Sequence, residues 1–161
     1  MQMLRTKTPK IRWLRDGEAW QVAEISKRSF RACDAMDLDA VMTFSDTPDH
    51  IPKVLRVGGH VLGYVFYELL DHILHVHQFA VAPAARRQGH GQRLVRHVLG
   101  QLPDLRRRVV LIEVHEKHLP AQLLLRKCGF RAFRTTHHSD DPTDWYAMRF
   151  IGNATLDSPD P

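Results

Sequence analysis

Apolar residues alternate with polar ones in some stretches of this chain and recur at helical spacing in others, and the switches between the two patterns divide it into elements. Ile11-Arg12-Trp13-Leu14-Arg15 alternates as a half-buried strand does. Asp16 then caps a helix whose stripe is Trp20, Ala23, Ile25 and Phe30, and a weaker helical pattern covers Asp37–Phe44. Asp46-Thr47-Pro48-Asp49 reads as a turn. Ile51–Val57 and His60–Leu70 read as strands joined by Gly58-Gly59, a pair suited to the positive φ of a two-residue hairpin. Asp71-His72 makes another tight connection, and Ile73–Val81 forms a strand that Pro83 ends.

Past Pro83 comes a basic, glycine-bearing turn, Arg86-Arg87-Gln88-Gly89-His90-Gly91. From Gln92 onward, Leu94, Val95, Val98, Leu99 and Leu102 recur at helical spacing. Arg108–Val114 is nearly all apolar, which predicts a strand buried on both faces. Pro120 opens a helix that runs to Cys128 and stops at Gly129. Phe130–Thr136 reads as a strand, His137–Asp144 as a polar loop and Trp145–Ile151 as a last strand. Residues 1–9 form a flexible tail in this reading, and 152–161, ending Ser-Pro-Asp-Pro, a disordered one. The pattern predicts a single α/β domain over residues 10–151, with a mixed sheet of about seven strands and about four helices.

Composition narrows the partners. A length of 161 residues suits one domain, and 43% hydrophobic with 25% charged residues argues against wholesale disorder. No apolar run is long enough to span a membrane. The first ten residues lack an apolar signal core, which points to the cytoplasm, and Cys33 and Cys128 read as free thiols. The formal charge of +5 permits an anionic partner without choosing among a phosphorylated cofactor, an acidic peptide and a nucleic acid. The Arg106-Arg107-Arg108 run has no aromatic residue interleaved to stack on bases, so it reads as a solvated loop and no direct nucleic-acid contact is expected. The eleven histidines carry neither the helical spacing nor the Cys, Asp or Glu companions of a zinc site, and no metal is expected.

The turn after Pro83 carries the candidate chemistry. The first backbone N–H groups of a helix have no partner within it, and the helix dipole adds positive potential at the same end. Gly89 and Gly91 allow close backbone approach, and Arg86, Arg87 and Arg93 add positive charge. Strand, turn and helix together read as a phosphate cradle.

Arg86-x-x-Gly89-x-Gly91 after Phe79-Ala80-Val81-x-Pro83 resembles the acetyl-CoA-binding motif of the GNAT acyltransferases. Leu124-Leu125-Arg126-Lys127-Cys128-Gly129-Phe130 resembles the family's later Tyr-x-x-x-Gly-Phe motif. Within the family, the Glu113-Val114 strand end and the short chain are most similar to the ribosomal-protein alanine N-acetyltransferase branch. The resemblance implies a mostly antiparallel GNAT-type sheet and acetyl-CoA as cosubstrate. It implies that the backbone of Phe79 and Val81, with Ala80 between them, pairs with the pantetheine arm. It implies that the N–H groups of Arg87, Gln88, Gly89, His90, Gly91 and Gln92, entered through Arg86, hold the pyrophosphate. His118 and Leu125 fall on two further cofactor-end positions of the family, and Glu113 on the position of the general base.

Two of these positions depart from the pattern. Leu125 stands where the family has the tyrosine that serves as acid toward the CoA thiol, and His118 where it has asparagine. Three readings stay open: the thiol leaves without a dedicated acid, which is preferred; His118 or Tyr146 substitutes; or the protein binds CoA and catalyses weakly. The resulting expectation is an acetyl-CoA-dependent N-acetyltransferase acting on a primary amine in a ternary complex. The acceptor expected is a protein or peptide amino terminus, a ribosomal protein among the candidates, with a small amine or polyamine as the alternative. No membrane contact is expected, and the state is monomer or homodimer. The acceptor pocket is expected from residues 16–50 and the His137–Asp144 loop, where Asp34, Asp37 and Asp39 could attract a cation.

Overall fold

The computed structural model describes residues 7–152. The tail readings for residues 1–6 and 153–161 fall outside the described residues. In chain order the elements are β1 (Lys10–Trp13), α1 (Ala19–Ser29), α2 (Leu38–Asp46), β2 (His50–Val57), β3 (His60–Leu70), β4 (Ile73–Val81), α3 (His90–Gln101), β5 (Val109–His115), α4 (Leu119–Lys127), β6 (Arg131–His138) and β7 (Asp141–Ile151). Short 3-10 turns precede α1 and α3. The seven strands form one sheet in the order β1-β2-β3-β4-β5-β7-β6. Only β4 and β5 run parallel; every other neighbouring pair is antiparallel.

Strand alternation deals side chains to two cores. On one face Val65, Tyr67, Leu74, Val76, Val110, Ile112 and Val114 pack with Leu94, Val95 and Val98 of α3 and Leu125 of α4. On the other, Val54, Tyr64, Phe66 and Ala80 pack with Ala19, Val22 and Ile25 of α1 and with Val41 and Phe44 of α2. Both faces of the central strand β3 are therefore covered, whereas β5 buries one face only. Val110, Ile112 and Val114 enter the first core while Leu111 and Glu113 stay half-buried on the other side, so the apolar run does not make a strand buried on both faces.

Several boundaries differ from the sequence reading for local reasons. Asp16 opens a 3-10 turn and does not cap α1. Glu18 stands at the N-cap of α1, and its carboxylate reaches back to close the 3-10 turn, accepting the Arg15 N–H at 3.2 Å and the Arg12 guanidinium at 2.6 Å. Trp20 is 59% exposed and so lies off the buried stripe of α1. Helix α3 starts at His90, two residues early, because Gly89 at φ 82° supplies the left-handed turn into it. The polar stretch 137–144 is mostly strand, with His137 opposite Asp144 and His138 opposite Asp141. Its polarity is that of an exposed edge, β6 being exposed along nearly all its length.

One irregularity positions everything that follows. In the β3–β4 ladder Tyr67 pairs with Val76 and Phe66 with Gln78, so His77 is an extra residue opposite no partner. Such a bulge bends a strand and puts two successive side chains on the same face. Accordingly His77 and Gln78 both face α1 and α2, where the Gln78 Oε1 accepts from Ser26 Oγ (2.9 Å) and Tyr64 Oη (2.5 Å). Gln78 Nε2 donates to the Asp34 carbonyl at 2.9 Å, tying the α1–α2 connection to β4. The parallel β4–β5 ladder ends at Val76 and Ile112, one residue before the bulge. From there the two strands part.

Candidate active site

At the start of α3, Arg87 (φ 61°) and Gly89 (φ 82°) both take left-handed backbone, curling the chain tightly. No side chain caps the helix, so its first N–H groups point outward for an anion. The sequence reading assigned both glycines to ligand approach. The structure separates them: a Cβ on Gly91 would lie 2.9 Å from Leu124 Cδ2, so Gly91 lets α3 approach α4. His90 is 7% exposed, leaving only its backbone for a ligand. Arg86 turns back to the protein, donating to the Val81 carbonyl (3.0 Å, Nε) and Ser29 Oγ (3.0 Å, Nη2).

The β4 edge meets the requirement for an extended ligand. Ala82 N–H bonds to the Leu62 carbonyl at 2.8 Å, so by alternation Phe79 and Val81 direct their N–H and C=O groups away from β3, toward the gap. The Val81 carbonyl is taken by Arg86. The cradle N–H groups and this strand edge, in line along one chain segment, fit the pyrophosphate and pantetheine of acetyl-CoA.

The gap opens into a cavity of about 390 Å³ between β4, β5, the end of α1 and the start of α4, lined by His77, Phe79, Glu113, His115, His118 and Trp145 among others. That volume is within the range of small-molecule sites. Glu113 alternates with the buried Ile112 and Val114, which directs its half-exposed carboxylate into the cavity. His138 Nε2 lies 3.3 Å from Glu113 Oε2. His118 precedes α4 and presents its ring edge-on to Phe30 at 6.0 Å. Burial, then the positive charge of Arg86 and the neighbouring His115, push the His118 pKa below its ordinary value and keep the ring neutral at pH 7.

One rim of the cavity is held by Arg31, which bonds Asp34 on its own loop and Asp141 of β7 (2.7 Å). Asp141 also accepts the Thr143 N–H at 3.0 Å, its hydroxyl, and Trp145 Nε1 at 3.1 Å. These bonds, the Arg31 one first, hold the Asp141 carboxyl well below the usual carboxylate range. Asp34 is thus paired with Arg31, and Asp37 caps α2 through the Ala40 N–H at 2.8 Å, so neither is a free anion for a cationic acceptor.

The structure therefore brings together Phe79, Val81, the 86–92 turn, Glu113 and His118. It does not bring Leu125, which is 1% exposed on the inward side of α4 among core residues and offers a cofactor no surface. Ala80 likewise turns its side chain into the other core. Tyr146 packs against the α3–α4 core and does not line the cavity, which leaves His118 as the nearer substitute for the missing tyrosine. His138 and Arg31 were missed. Extending the Phe130–Thr136 strand by two residues would have put His138 on a strand end, but nothing local points it at Glu113.

The sequence matches the profile of the Acetyltransferase (GNAT) family over residues 19–130. No curated protein matches the chain. Among solved structures, a ribosomal-protein alanine N-acetyltransferase from Escherichia coli superposes with a TM-score of 0.78 at 17% identity, over 94% of this chain and 99% of that one. Ard1 from Thermoplasma volcanium gives 0.81 at 20% identity, over 91% and 99%. YncA from Salmonella typhimurium, solved with its cofactor acetyl-CoA, gives 0.74 at 15%, over 94% and 98%. At these identities the likeness is one of fold.

Proposed function

The chain belongs to the GNAT acetyltransferase family, and from that premise we propose that it acetylates the amino terminus of a protein or peptide, with Glu113 as general base. The observation that carries this reading is the parting of β4 from β5 after Val76 and Ile112, with an uncapped helix N-terminus at one end of the gap and the Glu113 carboxylate at the other.

Bound along the β4 edge, acetyl-CoA supplies an activated acetyl thioester. Phe79 and Val81 orient the arm by their backbone, and the first N–H groups of α3 hold the pyrophosphate charge. An amine arrives protonated, and the Glu113 carboxylate accepts that proton, directly or through a water, so that the nitrogen can attack. Alignment of the two reactants within one cavity supplies a large share of the acceleration. His118, neutral and lining the cavity, donates a hydrogen bond to the departing thiolate. A thiol leaves readily, so this is an assistance and not a requirement, which accommodates the buried Leu125.

A protein amine is favoured over a small one because the Arg31–Asp141 clamp, which ties the α1–α2 connection to the β6–β7 hairpin, gives an extended chain a rim of the cavity to lie against. Two of the superposing structures point the same way: one is named for an alanine of a ribosomal protein, and an NAA60 from Arabidopsis thaliana was solved with a bisubstrate analogue. The thiols of Cys33 and Cys128 are unpaired, which suits a reducing, cytoplasmic setting. No helix among the described residues is long and apolar enough to cross a membrane.

The test is thiol release from acetyl-CoA over a library of peptides with varied first residues, alongside free amines and polyamines. Glu113→Gln should lower kcat about 100-fold or more while CoA affinity stays unchanged. An undiminished rate removes Glu113 from the chemistry. If CoA binds and no amine releases thiol, the protein is a CoA-binding module with weak catalysis, and Leu125 is the reason to look for it.

A further inference from the structure

On the sheet face that carries α1 and α2, four polar side chains from three strands converge. His50 comes from β2, Glu68 from β3, and His75 and His77 from β4. The ladder pairs His50 with Glu68 and Glu68 with His75, setting three of them in a row across the sheet. The bulge then adds His77 on the same face. His50 Nε2 lies 3.1 Å from Glu68 Oε2, while His75 Nδ1 and His77 Nε2 each lie 3.0 Å from Glu68 Oε1. The ligand atoms of His50, Glu68 and His77 are all within 4.8 Å of one another. Phe44 of α2 covers the group, with its ring 4.2 Å from that of His50 and 5.1 Å, edge-on, from that of His77.

We propose that this cluster binds one divalent transition metal ion of the zinc type, through His50 Nε2, His77 Nε2 and the Glu68 carboxylate, with His75 as a fourth donor. Imidazole nitrogen with a single carboxylate is the donor set zinc takes, whereas calcium and magnesium require more oxygens than the cluster holds. Bonds of about 2.0–2.2 Å in a tetrahedral site set ligand atoms a little over 3 Å apart. The three donors reach that spacing by side-chain rotation, since the backbones that carry them are already fixed by the ladder. All four donors stand on paired strands or at the bulge between them, so the framework is rigid before the ion arrives. The apolar Phe44 ring packs on His50 and His77 and limits the rotamers open to them, while the partial exposure of His77 leaves the ion a way in.

The site has its own donors and is independent of the acetyl-transfer reading. Its link to the cavity is His77, which belongs to both. An ion held there anchors the bulge at the point where β4 leaves β5.

The experiment uses the full chain without a histidine tag, stripped of metal by a chelator. Zinc is titrated against a chromophoric indicator, and cobalt(II) in parallel by visible absorption. One equivalent should bind with micromolar or tighter affinity, and cobalt should give the intense bands of a four-coordinate site. His50→Ala and Glu68→Gln should each weaken zinc at least tenfold, and the double variant His50→Ala/His77→Ala should abolish the cobalt bands, while His60→Ala, at the exposed first position of β3, changes neither. Circular dichroism and CoA binding establish that each variant is folded. If His50→Ala does not fold, the cobalt spectrum of the unaltered chain decides. Weak or absent bands, sub-stoichiometric binding, or full affinity retained in Glu68→Gln each overturn the site.

Discussion

Gly63 lies on β3 where a methyl group would sit 2.9 Å from the Ala80 carbonyl oxygen and 3.2 Å from Leu94 Cδ1. The first neighbour is backbone and cannot swing aside, so Gly63→Ala should cost about 1–3 kcal/mol, read by denaturant unfolding, because it presses on the β4 segment that carries the cofactor edge. Gly89 has open space around it but a φ of 82°. There Gly89→Ala should cost about 1–2 kcal/mol for the left-handed backbone, and it should weaken CoA binding more than stability, because relaxing the turn moves the N–H groups of the cradle. Calorimetric titration with CoA checks it, and unchanged affinity would refute the cradle. Gly91→Ala differs again: its collision is with the far end of the Leu124 side chain, which can turn, so packing between α3 and α4 should suffer before CoA binding does. His118→Ala should lower kcat several-fold with little change in CoA affinity, as expected of a hydrogen bond to the leaving group.

At the scale of elements, the α1–α2 connection and the β6–β7 hairpin are joined across the cavity by Arg31, Asp34 and Asp141. Arg31→Ala releases the hairpin, so hydrogen exchange of residues 137–144 should quicken and KM for a peptide acceptor should rise, while KM for acetyl-CoA holds. An equal rise in both would place the effect in general destabilisation. This hairpin also marks the limit of what the sequence conveyed. Strands β2, β3 and β4 were readable because apolar runs that feed the two cores are bounded by turn residues, and the cradle because glycine and charge mark it locally. The hairpin's two strands were readable in part, but their ends at 137–138 and 141–144 pass for loop because the sheet edge has no apolar residues there to mark a strand. The bulge was invisible for a related reason: a single added residue at His77 shifts the alternation of β4 by one step, and Gln78 passes for an ordinary interruption. Glu113 was singled out by its match to a motif position of the family, since a carboxylate at the end of an apolar strand can equally be the point where the strand meets water. Its neighbour His138 was not, since their contact depends on how three strands curl together. Leu125 shows the reverse error, a position assigned from motif alone that the packing of α4 turns inward.

For the molecule as a whole, half-buried histidines shape the response to acid. His97, through burial and then the charge of Lys53, and His118, through burial and then Arg86 and His115, have pKa values below the ordinary 6.5. Between their folded values and 6.5 the unfolded chain binds more protons, so stability rises with pH across that window. The contribution is complete above pH 6.5 and is lost as pH falls through the folded values. Glu18 adds a second window: burial raises its pKa, but the Arg12 and Arg15 hydrogen bonds and the charges of Arg12 and Arg56 outweigh this and leave it below 4.5. Its stabilisation is present above pH 4.5 and lost below it. Melting temperature should therefore fall from neutral pH toward pH 5, and His97→Gln and His118→Gln together should flatten that part of the curve; an unflattened curve would remove both residues from the effect. The same long-range view applies to the sheet, in which one surplus residue separates a closed surface from a reactive one. Removing His77 outright would put Val76 and Gln78 in consecutive positions, restore strict alternation through Ala80, and leave each side chain facing the core it already faces. The regularised strand could then zip against β5 beyond Ile112. The single-residue deletion should yield a protein that folds at least as firmly as the original and has lost its cleft, an inert sheet one amino acid away from an enzyme.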